Sequence, residues 1–232
     1  MDFGTNTNTA FYAQEADRAA FIRRTYLHVA GAILAFVVLE AILLQLPIGG
    51  AIVSVLSGRF SWLLILGAFM GVSWLAQKWA NSDSSTGMQY LGLGLYVVAE
   101  AIIFLPLLYV AAYYTSEHVI VSAGLITMFL FAGLTASVFI SKKDLSWMGR
   151  ILTIGGFVAL GIIVASMLFG FTLGLLFSAV MVIFAGGSIM YQTSNVLHHY
   201  RTNQHVAASL ALFASVALMF WYVLRLVMGS RN

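Results

Sequence analysis

The sequence predicts an all-α membrane protein, a bundle of seven transmembrane helices. Apolar residues make up 61% of the chain and charged residues only 8%, a ratio that a soluble domain of this size does not need. The apolar residues are gathered into long stretches, and almost every charge falls between them. These stretches are too long for barrel strands and lack their alternation of polar and apolar residues, so the spans are predicted to be helices.

Each apolar stretch is close to the roughly 20 residues that a helix needs to cross the hydrocarbon layer. A polar N-terminal tail is predicted over residues 1–26, a transmembrane domain over 27–228 and a short C-terminal tail over 229–232. Within the domain, the predicted spans are residues 27–46, 60–79, 89–113, 119–140, 151–169, 173–191 and 206–228.

Composition also excludes several classes of function. The chain has no cysteine, which rules out disulfides and thiolate metal sites. Its 11 Lys and Arg residues form no dense tract, so nucleic acid is not an expected partner. The first twenty-odd residues contain no apolar core of the kind that a cleavable signal peptide has, so the first span is expected to be an uncleaved anchor.

The basic residues predict the orientation in the membrane. With seven spans, eight of them fall on one side and three on the other. Because basic loops stay in the cytoplasm, this places the N-terminus inside and the C-terminus outside, unless the last span is re-entrant and returns the C-terminus to the inside. The larger group is Arg18, Arg23, Arg24, Lys78, Lys142, Lys143, Arg150 and Arg201, and the smaller group is Arg59, Arg225 and Arg231.

Two glutamates lie inside apolar spans, Glu40 in the first and Glu100 in the third. A charged carboxylate near the bilayer centre costs roughly 2.5–3.5 kcal/mol even on insertion scales, so each must face the interior, pair with a donor or keep its proton. One interpretation is a cation or proton site, and the other is a protonated acid that hydrogen-bonds a neighbouring helix. Pro106 favours the first for Glu100, since a proline frees a backbone carbonyl that could line a polar cavity.

Other polar groups near span ends are interpreted more simply. His198, His199 and His205 do not have the i, i+4 spacing of a helical metal site and are read as interfacial surface residues, so no metal site is predicted. Arg225 either snorkels to the headgroups or pairs with a carboxyl or carbonyl at a cavity mouth. The glycine pairs 67/71 and 170/174 have the spacing that lets helices approach closely, and packing within the bundle is favoured over pairing between two chains.

The chain resembles the Bax inhibitor-1 (TMBIM-like) family of membrane proteins, particularly its proteobacterial branch. The resemblance covers nearly the whole chain and depends on the order and spacing of several short motifs. The block from Gly186 to Asn195 is the most specific of them. The motifs lie at residues 23–26, 99–100, 141–146, 186–195 and 224–226.

The resemblance implies a fold in which six helices surround a central last helix, and a cation leak with calcium as the transported ion. In the best-understood members of the family, two aspartates on the last two spans share a proton and sense pH, whereas the proteobacterial branch often lacks this pair. The matching positions here are Gln192 and, about ten residues before the Leu-Arg-Leu motif, Ser215. Neither can titrate, so the coupled carboxyl switch is expected to be missing, although the two side chains could still hydrogen-bond across the same gap. The candidate residues of the cation path and gate are therefore Glu100, Glu40, Gln192, Ser215 and Arg225.

The proteobacterial branch implies an alternative, a modulator or partner of an FtsH-type membrane protease. Residues 1–22 fit this role because they are polar and show little apolar periodicity, as expected of a short disordered tail that a protease could grip. An intramembrane enzyme is not expected. A zinc site lacks H-E-x-x-H, no histidine lies mid-span, and no Lys follows Lys143 to carry a retinal. No catalytic residue and no cofactor is predicted, and the expected location is a bacterial inner membrane.

Overall fold

The computed structural model describes residues 9–46, 59–82, 85–116 and 118–230. They form seven helices, each corresponding to one predicted span and each long and apolar enough to cross a membrane. The seven-helix prediction is thereby confirmed. The helices are α1 (Glu15–Gln45), α2 (Arg59–Ala80), α3 (Thr86–Tyr114), α4 (Val119–Ser141), α5 (Met148–Phe169), α6 (Leu175–His198) and α7 (His205–Gly229).

Helix α1 begins at Glu15, well before the apolar span that starts at Leu27. Glu15 and Asp17 lie in its first turn, where carboxylates complement the positive end of the helix dipole. Its buried residues recur every three or four positions along one stripe, so α1 uses the same face outside and inside the apolar span. This stripe is formed by Phe21, Thr25, Val29, Ala32, Phe36 and Glu40.

Helix α7 occupies the centre of the bundle. It packs against α1, α2, α3, α4 and α6, and it is buried along most of its length. The Phe213 ring of α7 meets the rings of Phe36 from α1 and Tyr96 from α3 at centroid distances of 6.2 and 6.1 Å. The central last helix that the family resemblance implied is present.

Neighbouring helices alternate in direction, so the bundle has two chemically distinct ends. At one end, Ser209 Oγ donates to the backbone oxygen of Thr25 over 2.9 Å, which joins the start of α7 to α1. We call this end, which carries the larger group of basic residues, the basic end. At the opposite end, Tyr113 Oη donates to the backbone oxygen of Leu44 over 3.0 Å.

The segment before α1 is ordered against the basic end from Thr9 onward. The Ala10 N–H donates to the Tyr200 oxygen over 2.8 Å, and Ala10 is fully buried. The Phe11 ring lies 5.4 Å from the ring of His198, and the guanidinium of Arg18 sits over Phe11. The prediction of a disordered tail over residues 1–22 is therefore wrong for residues 9–22, because they dock on the basic end and enter α1, and residues 1–8 lie outside the described ranges.

The glycine pairs do not make the close helix contacts that their spacing suggested. A Cβ at Gly67, Gly71 or Gly174 would meet no atom within 4 Å, and Gly170 has a φ of 77° because it ends α5 in the left-handed conformation. The close approach occurs at Gly92 of α3, where a Cβ would lie 2.5 Å from the Ala76 oxygen of α2. The prediction of contacts within the bundle was wrong because Gly67 and Gly71 lie on the exposed side of α2, and the alternative of contacts between two chains stays a prediction.

Candidate functional site

A cavity of about 700 Å³ lies inside the bundle beside the central helix. Along α7 its lining runs from Leu210 to Arg225, which at 1.5 Å per residue is about 22 Å of helix. That length is a large part of the roughly 30 Å hydrocarbon thickness. Its walls are mixed, with aromatic and aliphatic side chains and these polar ones: Gln77, Tyr96, Glu100, Ser166, Thr172, Ser188, Gln192, Ser215, Tyr222 and Arg225.

Glu100 is the single acidic residue among those that line this central cavity. It projects from α3, where it is only 6% exposed, and its side chain is paired with that of Tyr96 one helical turn earlier. Aromatic residues adjoin the pair, since Phe104 follows Glu100 by one turn and also lines the cavity. The arrangement gives one carboxyl group access to a partly polar space inside an apolar bundle.

Glu40 does not line the central cavity. It continues the buried stripe of α1 and is 4% exposed, and within the described part of the chain neither carboxyl oxygen has a hydrogen-bond partner. The structure thus separates the two mid-span glutamates that looked alike in the sequence. The neighbouring-helix hydrogen bond considered for Glu40 is not formed.

Gln192 and Ser215 both line the central cavity, but they do not pair with each other. Ser215 Oγ lies 2.8 Å from Ser188 Oγ of α6, and it also donates to the Ala211 oxygen over 3.0 Å. Gln192 Oε1 instead accepts from Asn195 Nδ2 over 3.3 Å. The expected Gln192–Ser215 contact is absent because the α6 side chain facing Ser215 is Ser188, one turn before Gln192.

A second cavity, of about 730 Å³, meets the central one at Ser188 and Gln192, which line both. Its other lining residues include Tyr191, Arg150 and Ser146, which lie toward the basic end. Gly149 is part of this wall, and the Tyr191 hydroxyl sits so close that a Cβ there would lie 2.9 Å from it. The two cavities therefore adjoin each other along α6, and together they form a candidate route that runs beside α7 in the central cavity.

Arg225 lines the central cavity near the opposite end. Its Nη2 donates to the backbone oxygen of Leu173 in the α5–α6 connection over 3.2 Å. Of the two interpretations for Arg225, the structure therefore favours the carbonyl pairing at the cavity rather than snorkelling. The charge stands at one end of the route, with Glu100 further inside.

Pro106 does not contribute to the cavity. Helix α3 runs through it, and neither Pro106 nor Ile102 lines the central cavity. Ile102 is the residue whose carbonyl loses its intrahelical donor, and its side chain is 53% exposed on the outer face. The support that Pro106 lent to Glu100 was therefore misplaced, although Glu100 itself is at the cavity.

A polar cluster at the basic end was not predicted from the sequence. Asp144 Oδ1 accepts from the Ser146 N–H over 2.9 Å and from the Ser146 hydroxyl, and it lies 3.2 Å from His199 Nε2. Ser194 Oγ accepts from the Leu145 N–H over 2.9 Å, which fixes the α4–α5 connection to α6. The hydrogen bonds from Ser146, aided by His199, lower the pKa of Asp144 to about 2.

His199 is exposed, as predicted for a surface histidine, and it also contacts Ser146 and Asp144. It joins two of the sequence motifs, the loop at 141–146 and the end of the block at 186–195. Among the described residues, no group of three His, Cys, Asp or Glu side chains is placed to hold a metal ion.

Six of the polar residues that line the central cavity were missed, namely Gln77, Tyr96, Ser166, Thr172, Ser188 and Tyr222. For two of them a signal existed. Tyr96 precedes Glu100 by four residues and Ser188 precedes Gln192 by four, so each shares a helix face with a predicted site residue. Gln77 gave no such signal, because it was indistinguishable from an ordinary polar residue at a span end.

Comparison with known proteins adds to this picture. The family model described as inhibitor of apoptosis-promoting Bax1 matches residues 18–232. An uncharacterized protein of Pseudomonas aeruginosa is 30% identical over 171 residues, 70% of this chain and 72% of the relative. The modulator of FtsH protease YccA of Escherichia coli is 33% identical over 95 residues, 40% of this chain and 43% of YccA.

A third relative, the Golgi anti-apoptotic protein of vaccinia virus, is 31% identical over 120 residues, 50% of this chain and 49% of the viral protein. No solved structure gives a significant match to the chain.

Proposed function

Because this chain belongs to the Bax inhibitor-1 family, as its sequence motifs predicted, we propose that it is a membrane cation leak with calcium as the transported ion. The observation that carries the proposal is the meeting of two cavities at Ser188 and Gln192. We propose that the two cavities form one ion route, in which the central cavity beside α7 supplies one buried carboxyl group, Glu100. The route suits slow ion passage without any chemical step, so we propose no enzymatic activity and no cofactor.

The chemistry of the lining suits weak and transient cation binding. Calcium takes six to eight oxygen ligands, with carboxylates among them. The central cavity offers one carboxyl with hydroxyl and amide oxygens from Tyr96, Ser188, Gln192 and Ser215. Conduction requires a site that an ion can enter and also leave, and such a set of mostly neutral oxygens meets that requirement better than a cage of carboxylates.

We propose that the narrow part of the route is the contact between α6 and α7 at Ser188 and Ser215, whose hydroxyl oxygens lie 2.8 Å apart. Neither side chain titrates in the physiological range, and Gln192 does not either. The coupled carboxyl pair that would act as a pH switch is therefore replaced by neutral groups at this place. The leak is proposed to lack that form of gating.

The orientation is also a proposal. The basic end carries the larger group of Lys and Arg residues, which favours its placement on the cytoplasmic side of a bacterial inner membrane. The N-terminus would then be cytoplasmic and the C-terminus outside. Arg225 and the α5–α6 connection would face the outer leaflet.

The test is calcium flux into proteoliposomes, with Glu100→Gln compared with Glu40→Gln. We expect Glu100→Gln to lower the flux about tenfold, which corresponds to a loss of about 1.4 kcal/mol in ion binding. Glu40→Gln is the matched control, since it replaces an equally buried acid that does not line the central cavity. Equal effects of the two changes, or no effect of Glu100→Gln, would remove Glu100 from the pathway.

Calcium flux measured in the same liposomes at pH 6 and pH 8 tests the proposal that the pH switch is missing. We expect wild-type flux to be nearly equal at the two values, because no carboxyl pair spans α6 and α7. A strong dependence on pH would show that another group has taken over sensing. No flux above empty liposomes at either pH would reject the leak.

A second candidate function, a modulator or partner of an FtsH-type membrane protease, is favoured by the likeness to YccA. Residues 1–8 precede in sequence the segment at Thr9 and Ala10 that docks on the basic end, so deleting them leaves the Ala10–Tyr200 hydrogen bond in place. Deleting residues 2–8 is expected to abolish co-purification with the protease while the bundle stays folded. Deleting residues 231–232 is the control, and loss of co-purification in both variants, or in neither, would count against this role.

A further inference from the structure

An apolar groove of about 440 Å³ runs along the outer surface between α1 and α3. Its floor is made of small residues, since a Cβ at Gly31 or Gly94 would meet no atom within 4 Å. Ala35 continues this floor, and Leu39 and Val98 line the far end. From His28 to Leu39 the groove follows α1 for about 16 Å, a length that suits an extended alkyl chain.

A polar cluster closes the groove at the basic end. His28 Nε2 lies 2.9 Å from Tyr90 Oη, and both residues line the groove. The ring of His205, the first residue of α7, lies 5.0 Å from the ring of His28. Within the described part of the chain, the buried Nδ1 of His205 has no hydrogen-bond partner.

A positive charge stands beside this cluster. Arg24 precedes His28 by one helical turn and is exposed, and its charge acts on His205. The place therefore combines an arginine, two imidazoles and a phenol hydroxyl at the head of an apolar channel. These are groups that bind a phosphate ester, with the arginine able to make charge-assisted hydrogen bonds.

We propose that this groove is a binding site for a membrane lipid with an anionic phosphodiester headgroup. The acyl chain lies over Gly31 and Gly94, and the phosphate is held by Arg24 beside the His28–Tyr90 pair, in which both His28 ring nitrogens are already hydrogen-bonded. Charge complementarity selects this occupant, because basic pockets between transmembrane helices bind anionic headgroups whereas a purely apolar helix partner would leave Arg24 unpaired.

The site is separate from the central cavity, since none of its lining residues is shared with that cavity. It does contact the central helix, through His205 at the start of α7. A bound lipid would thus tie α1, α3 and α7 together at the basic end. The proposal does not depend on ion conduction.

The experiment reconstitutes the full chain in nanodiscs of equal phosphatidylglycerol and phosphatidylcholine and counts retained lipids by native mass spectrometry after mild extraction. We expect wild type to retain phosphatidylglycerol selectively and Arg24→Gln to lower that retention about fivefold. Arg23→Gln is the matched control, an exposed arginine on the same turn of α1. Equal losses in the two variants would mean only a diffuse surface charge and would overturn the site.

The proposed acyl-chain position is tested by substitutions that place a larger side chain in the groove. Gly94→Leu is expected to lower retention of both lipids, and Gly31→Leu should do the same from the α1 side, so the test survives if one variant fails to fold. Gly124→Leu, at a similarly open position on α4, is the control. Unchanged retention in the groove variants that fold would reject the acyl-chain site. Displacement of the lipid by excess inorganic phosphate would reject it too, since the site would then recognise a free anion.

Discussion

Gly92 is the residue at which two helices come closest. A Cβ at this position would lie 2.5 Å from the Ala76 oxygen and 2.6 Å from the Ala80 nitrogen, both backbone atoms of α2. Backbone atoms cannot rotate away, so Gly92→Ala must push α3 from α2. We expect a loss of about 1–3 kcal/mol in the free energy of unfolding, measured by steric trapping in bicelles.

Gly71→Ala is the control, because a Cβ there meets no atom within 4 Å. It should change the free energy of unfolding little, or raise it slightly through the higher helix propensity of alanine. If both variants lose the same stability, the close approach at Gly92 is not what holds α2 against α3.

Single residues also show what the sequence could and could not supply. Hydropathy identified Glu40 and Glu100 as mid-span acids, and the family motifs pointed to Gln192, but neither source gives the rotation of a helix about its axis. That rotation puts Glu100 in the cavity and Glu40 outside it. It also puts Ser188, and not Gln192, opposite Ser215.

At the scale of elements, the α4–α5 connection makes a contribution to the stability of the fold that depends on pH. The Ser146 hydrogen bonds and His199 lower the pKa of Asp144 to about 2, whereas an unfolded Asp titrates near 3.9. A depressed carboxyl pKa stabilises the fold above the unfolded value, and this contribution is lost as pH falls through the folded value. The effect is modest, because the Asp144 side chain is 50% exposed and solvent screens it.

The variant Asp144→Asn tests this pH dependence. The difference in unfolding free energy between wild type and this variant should be constant above about pH 4 and disappear as the pH falls to about 2. Ser146→Ala should reproduce part of the loss, since it removes a donor to the same oxygen. A difference that stays constant down to pH 2 would contradict the assigned cause.

The observed helices extend beyond the spans predicted from hydropathy for a physical reason. Hydropathy measures which residues can enter the hydrocarbon, not where backbone hydrogen bonding stops. Helix α1 therefore extends back to Glu15 through exposed arginines, and α6 continues to His198 through a polar turn. The first-turn acids of α1 were visible in the sequence as a helix-start signal, and the span criterion did not use them.

At the scale of the whole molecule, the core of the bundle is the central helix. Phe213 is 2% exposed and packs against rings from α1 and α3, whereas Phe157 on α5 is 72% exposed. We expect Phe213→Ala to cost about 3–5 kcal/mol of unfolding free energy, as measured by steric trapping. Phe157→Ala should stay within about 0.5 kcal/mol, and similar losses in both would contradict a core centred on α7.

The number of helices followed from composition, but the central place of α7 did not. Helix α5 is as apolar as α7 and yet lies at the edge of the bundle with few buried residues. In a bilayer both lipid and protein surround a helix with apolar groups, so hydropathy cannot separate the two environments. The expectation that the last helix is central came from the family resemblance alone.

The hydrogen bond from Ser209 to Thr25 joins residues 184 positions apart in the chain. A ribosome that has released α1 must still synthesise five more helices before α7 appears. Until α7 is inserted, the faces of α1, α3, α4 and α6 that pack against it have no protein partner, and lipid or an insertion chaperone must cover them. The time spent in this unfinished state lengthens when translation is slowed, and we expect the nascent chain to be most open to quality-control proteases just before His205 emerges.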